Sequence, residues 1–130
     1  MNLIKKGFFR EMPHAYADDP SVSESVGNLE YITEKDKICE YLDNGIVLAA
    51  CCGTVDDIIN PNNGVAGCPD LLTDGNFVWP GDYSYYIKNY NVSVDEDFFS
   101  FMQDNNWKIN FDSEQIDFES ITIDGEKAFS

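Results

Sequence analysis

The stretch Leu71-Leu72-Thr73-Asp74-Gly75-Asn76-Phe77-Val78-Trp79-Pro80 decides how this chain folds. Two short apolar runs meet at Thr73-Asp74-Gly75-Asn76. Asp-Gly between such runs is a hairpin signal, because glycine accepts the positive φ of a tight turn. Pro80 closes the second run, having no N–H to give to a ladder. The period then changes: Tyr83, Tyr86, Ile87 and Tyr90 fall at i, i+3, i+4 and i+7, one face of a helix, so a helix is predicted over 81–90. A hairpin hands over to an aromatic helix within a dozen residues.

Upstream, Thr33-Glu34-Lys35-Asp36 reads as a capped helix start, with Ile38, Tyr41 and Leu42 as its buried stripe and Asn44-Gly45 as its stop, giving a helix over about 34–44. The unalternating run Ile46–Cys52, between Gly45 and Gly53, suits a strand covered on both faces. Residues 1–12 carry a short apolar patch that is either one helical turn or an edge strand, broken at Met12-Pro13. Residues 13–28 read as a long polar loop. Downstream, Asn91 stops the aromatic helix in a left-handed conformation. Ser93-Val94-Asp95-Glu96 is a capping box opening a helix over 94–105. Trp107, Ile109 and Phe111 then alternate as a strand, and Ile116–Ile123 suggests one or two more. The fold class expected is α+β: a single domain over 1–130, with about three helices on a mainly antiparallel sheet. Tyr41, Leu42, Val47, Leu48, Phe77, Trp79, Tyr86, Ile87, Phe98, Met102 and Trp107 are the expected core. Exposure of Trp79 and Tyr86 in one patch would instead mark a binding surface.

Apolar residues make up 43% of the chain, with nine Phe, seven Tyr and two Trp, which is ample for a core and unlike a disordered acidic tail. Charge is the most informative bulk property. Twenty-four Asp and Glu against eight Lys and Arg leave −16, and Lys5, Lys6 and Arg10 lie in the first ten residues. A field of that sign repels nucleic acid and anionic membrane and speeds encounter with a basic partner. No apolar stretch is long enough to span a membrane and no signal peptide is evident, so a cytoplasmic location is expected.

The residues offer little for catalysis. His14 is the only histidine, and beside Pro13 it reads as a solvated loop side chain. Cys39, Cys51, Cys52 and Cys68 lack zinc-ligand spacing and read as reduced, buried thiols. Asp70, Asp74 and Gly75 match positions 1, 5 and 6 of a calcium loop, but Leu72 and Gly81 occupy positions 3 and 12, where ligands are required. Gly64-Val65-Ala66-Gly67 lacks the lysine of a phosphate loop. No metal or other cofactor is expected.

Tyr41-Leu42-Asp43-Asn44-Gly45, the stretch Leu72–Pro80, Tyr85-Tyr86-Ile87-Lys88-Asn89-Tyr90 and Asp95–Phe99 span residues 38 to about 107. In this layout the chain resembles small bacterial immunity proteins of polymorphic-toxin and contact-dependent growth inhibition systems. The resemblance implies a protein that is not an enzyme and whose partner is a cognate toxin C-terminal domain. Many such toxins are nucleases with basic clefts, and an acidic protein blocks the cleft with carboxylates where phosphates bind. The candidate contacts are acids expected to be exposed on loops: Asp18, Asp19, Asp56, Asp57, Asp95 and Asp97. Two other readings share the composition. One is a DNA-mimic regulator of a host nucleic-acid-binding protein, and the other is a small enzyme built on carboxylates and tyrosines.

Overall fold

In the computed structural model, which describes residues 1–51 and 53–127, the hairpin forms where the sequence puts it. Strands β5 (Leu71–Thr73) and β6 (Phe77–Pro80) pair antiparallel. Gly75 takes φ 93° at the turn. The Thr73 hydroxyl donates to the Phe77 carbonyl at 2.6 Å and accepts the Gly75 N–H at 3.0 Å. Asp74 Oδ1 accepts the N–H groups of Asn76 and Phe77, and Oδ2 accepts the Tyr41 hydroxyl at 2.6 Å. Burial pushes the Asp74 carboxyl above its usual range, and these bonds only partly offset that. The turn therefore carries its own polar partners into the interior.

Among the described residues, six strands form the main sheet, in the order β2 (Ile46–Ala49), β5, β6, β1 (Asn2–Lys5), β7 (Thr122–Ile123), β8 (Glu126–Lys127). The sheet is mainly antiparallel, with its two parallel pairings on either side of β1. A small separate pair, β3 (Val55–Asp56) and β4 (Val65–Gly67), stands outside it. Helices α1 (Lys35–Asp43), α2 (Tyr83–Tyr90) and α3 (Glu96–Asp104) complete an α+β domain. Alternation along the strands divides the core in two. Phe77, Trp79 and Leu72 face the helices and meet Tyr41, Tyr86, Ile87, Phe98 and Met102. Leu3, Val78 and Leu48 face the other way and are covered by Ile121.

Several expectations need correction. The N-terminal apolar patch is neither a helical turn nor an edge strand: β1 lies inside the sheet, with Leu3 fully buried. The strand after α1 is not covered on both faces. It forms the sheet's edge, and Val47 is 51% exposed, although the register puts it in one row with Leu72 and Trp79. No strand forms at 107–111, because Asn106 and Trp107 take φ 55° and 62°, and two successive left-handed residues turn the chain out of any ladder. Trp107 is accordingly half-buried, edge-on to Phe99.

Both predicted capping boxes are absent. α1 starts after Glu34 with no side-chain cap, and the Thr33 hydroxyl donates to the Glu34 carboxylate instead. α3 starts after Asp95, while the Ser93 hydroxyl pairs with Ser25. Asn91 does end α2 in the left-handed region, at φ 51°. The 13–28 loop is partly folded in: Ser21 and Val22 are buried and held by the Glu11 carboxylate.

Gly45 joins α1 to β2 at a close approach. A Cβ there would stand 2.6 Å from Trp79 Cζ2 and 2.9 Å from Leu72 Cβ. Gly45→Ala is therefore expected to cost about 1–3 kcal/mol by overpacking. A lowered urea midpoint at unchanged slope would show it.

Candidate partner-binding surface

The six candidate acids are not gathered into one patch. Successive residues at the end of β1 reach to opposite sides of the sheet. Lys5 Nζ holds Asp19 at 2.8 Å, and Lys6 Nζ holds Asp95 at 2.7 Å and Asp97 at 2.9 Å. Burial alone would lower the Lys6 ammonium, but the two carboxylates outweigh it and hold it above its usual range. Asp95 and Asp97 are themselves exposed, as is Asp18, whereas Asp19 is largely covered and also accepts the Tyr16 N–H. Two of the chain's few cations are thus tied to its own acids.

Asp56 and Asp57 part company. Asp56 is exposed at the end of β3. Asp57 is buried, which corrects its expected place on the surface. Its Oδ1 accepts the N–H groups of Ile59 and Asn60 at 2.8 and 2.9 Å. Its Oδ2 accepts the hydroxyls of Tyr85 and Tyr90 at 2.8 and 2.6 Å, with Asn63 Nδ2 at 3.4 Å. Burial by itself would raise this carboxyl, but the donors prevail and bring it down to about 2. Asp57 in turn raises the Tyr85 hydroxyl to about 12. With both oxygens occupied, the carboxylate ties the 57–63 turn to α2.

Sequence reasoning missed the C-terminal acids. Asp112, Glu114, Asp117, Glu119, Asp124 and Glu126 are all exposed, and no Lys or Arg interrupts them. The signal was available in that charge run, but the interleaved Ile and Phe read as strand. Asp112 and Asp117 accept the N–H two residues on, so residues 112–119 fold as short turns, and the strand expected over Ile116–Ile123 forms only at its end, as β7.

A cleft of about 470 Å³ joins this segment to the N-terminal loop. Asp18, Asp19, Asp124 and Glu126 line it, with Tyr16 and His14. His14 is not the solvated side chain expected. Its side chain is 16% exposed, and Nε2 lies 3.3 Å from Oδ1 of the buried Asp82. Neither ring nitrogen and neither Asp82 oxygen has a hydrogen-bond partner.

The thiols also differ from expectation. Cys51 and Cys68 are exposed, and only Cys39 is half-buried, its S–H donating to the Ser84 carbonyl. Cys52 lies outside the described residues. Burial pushes the Cys39 thiol up, away from reactivity. Among the described residues no group of three or more His, Cys, Asp and Glu is placed to hold a metal ion. None of their helices is long and apolar enough to cross a membrane. Trp79 and Tyr86, the aromatics that would have marked a surface site, are both fully buried. No protein-family model, curated protein or solved structure matches this chain.

Proposed function

We propose that this protein is an acidic immunity protein. It binds a cognate toxin domain, of nuclease type, and neutralises it by occluding a basic active-site cleft. The observation that carries this reading is uncompensated charge: 24 acids, of which Asp57, Asp74 and Asp82 are buried, against eight Lys and Arg, with Lys5 and Lys6 already engaged internally. Carboxylates held on short turns stand where a nuclease cleft expects phosphate oxygens. The toxin partner rests on the resemblance in residues 38 to about 107. Binding takes place in the cytoplasm of the producing cell, with no cofactor and no direct contact with nucleic acid or membrane.

A pull-down from the native host tests this reading. The expected captive is a toxin fragment with a basic surface, and capture of a host DNA-binding protein alone would overturn it in favour of a DNA mimic. The charge argument also sets a rate. Neutralising the C-terminal turns (D112N/E114Q/D117N/E119Q) is expected to slow association with the partner about ten-fold at low salt while leaving dissociation nearly unchanged. Surface plasmon resonance at two salt concentrations separates the two rates. A faster dissociation with unchanged association would contradict charge steering.

A further inference from the structure

Strands β3 and β4 stand outside the main sheet, and the chain enters and leaves them through one neck. On the sheet side of the neck, Ala49 of β2 is paired with Leu71 of β5. On the far side, Val55 of β3 is paired with Gly67 of β4. Residues 50–54 run outward between those two pairings, and residues 68–70 run back. Asp70 fastens the neck: its Oδ1 accepts the Cys51 N–H at 2.8 Å, and its carbonyl accepts the Gly81 N–H, just beyond β6, at 2.9 Å. Each side of the neck carries a free, exposed thiol, Cys51 on the way out and Cys68 on the return. Packing accounts for the half-buried Cys39 but not for these two, and exposure leaves both open to reaction.

We infer that Cys51 and Cys68 form a dithiol that closes into a disulfide across the neck when it meets a small-molecule disulfide. Residues opposite one another in an antiparallel pair have Cα atoms about 4.5–5.5 Å apart, within the roughly 4.4–6.8 Å that a disulfide spans. Such pairs bracket the two cysteines on both sides. One thiol gives up its proton and attacks a sulfur of the small disulfide. That S–S bond breaks, a mixed disulfide forms, and one small thiolate leaves with the electron pair. The second protein thiolate attacks the protein sulfur of the mixed disulfide and expels the other small thiolate. The two protons end on the two released thiols, so the protein pair is oxidised by two electrons and the small disulfide is reduced by two. The new bond closes residues 51–68 into a ring around β3 and β4. It restricts the unfolded chain and staples to the sheet the strand pair that carries exposed Asp56.

Cystamine is the probe, a cationic small disulfide that an acidic surface attracts. The intact protein is incubated with it, quenched in acid, digested with pepsin and mapped by mass spectrometry. The expected product has one intramolecular bond between the Cys51 and Cys68 peptides and two fewer free thiols per chain. Dithiothreitol is expected to reverse it. The cross-linked protein is expected to unfold at a urea midpoint raised by about 1 M. The bond is expected to form in Cys52→Ser and to be lost in Cys51→Ser and in Cys68→Ser. Cysteamine adducts that persist on Cys51 and Cys68 with no bond between them would overturn the inference. So would a bond to Cys68 that survives Cys51→Ser, or an unchanged urea midpoint in the cross-linked protein. The wild-type mapping stands even if a variant folds poorly.

Discussion

Replacing Trp79 with alanine is expected to destabilise the protein by about 3–5 kcal/mol. That is a large share of the roughly 5–15 kcal/mol that holds an ordinary domain together. Two losses combine at this position. The indole is fully buried, with ring centroids 6.0 Å from Tyr41 and 5.3 Å from Phe98, so truncation opens a void where the hairpin, α1 and α3 meet. Its Nε1–H also donates to the Leu42 carbonyl at 3.1 Å. That carbonyl sits in the last turn of α1 and also accepts the Gly45 N–H at 3.2 Å, so the indole supplies its second hydrogen bond. Trp79→Phe keeps part of the volume but loses the indole hydrogen bond and some packing, and is expected to cost about 1–3 kcal/mol. Urea unfolding followed by circular dichroism measures both. A loss below about 1 kcal/mol for Trp79→Ala would mean that the hairpin is not the centre of the core.

Asp57→Asn is expected to cost about 2–3 kcal/mol and to change the response to acid. The substitution preserves shape but removes the charge that makes hydrogen bonds from Tyr85, Tyr90 and two backbone N–H groups strong. The amide also places a donor against donors: two backbone N–H groups in one orientation, Asn63 and the tyrosine hydroxyls in the other. The pH dependence follows from the depressed carboxyl. A carboxylate held at about 2 when folded, against about 3.9 when unfolded, contributes stability that is fully present above the unfolded value. That contribution is lost as pH falls through about 2. Wild type should therefore lose more stability than Asp57→Asn between roughly pH 4 and pH 2, measured as urea midpoints across that range. Parallel curves would contradict the assigned role. Asp74, held above the usual range by burial, works with the opposite sign: its ionisation penalises folding at neutral pH, and the penalty fades on acidification.

What could be read from sequence was local. The 71–80 hairpin, the three helices and the left-handed Asn91 each rest on a few neighbouring residues whose spacing or backbone preference is decisive. What could not be read was set by distant partners. β1 has four residues and no alternation; its place inside the sheet is fixed by β6 and β7, more than 70 and 115 positions away. The capping box at Ser93 is locally sound, but Lys6 takes Asp95 and Asp97, and Ser93 bonds Ser25 across the fold. The turn at Asn106-Trp107 places two successive residues in the left-handed region, which asparagine accepts but which runs against the local preference of Trp107.

The candidate surface shows the same division. Net charge was plain from composition, and Asp18, Asp95 and Asp97 are exposed as expected. Asp56 and Asp57 are adjacent and identical in type, yet one faces water and the other lies among tyrosines. Neighbouring side chains on an extended backbone point to opposite sides, and only the packing of α2 decides which side is inside. His14 could not have been matched to Asp82 from sequence, because 68 positions separate them and neither belongs to a recognisable motif.

Growth rescue tests the central claim most directly. The gene is co-expressed with the C-terminal domain of a candidate toxin sought among the genes beside it, and survival is measured together with the stoichiometry of the purified complex. The expected result is restored growth with an equimolar complex that loses affinity steeply as salt rises. Unrestored growth in cells that contain the folded protein, or rescue without a physical complex, would contradict the assignment of this acidic surface to toxin neutralisation.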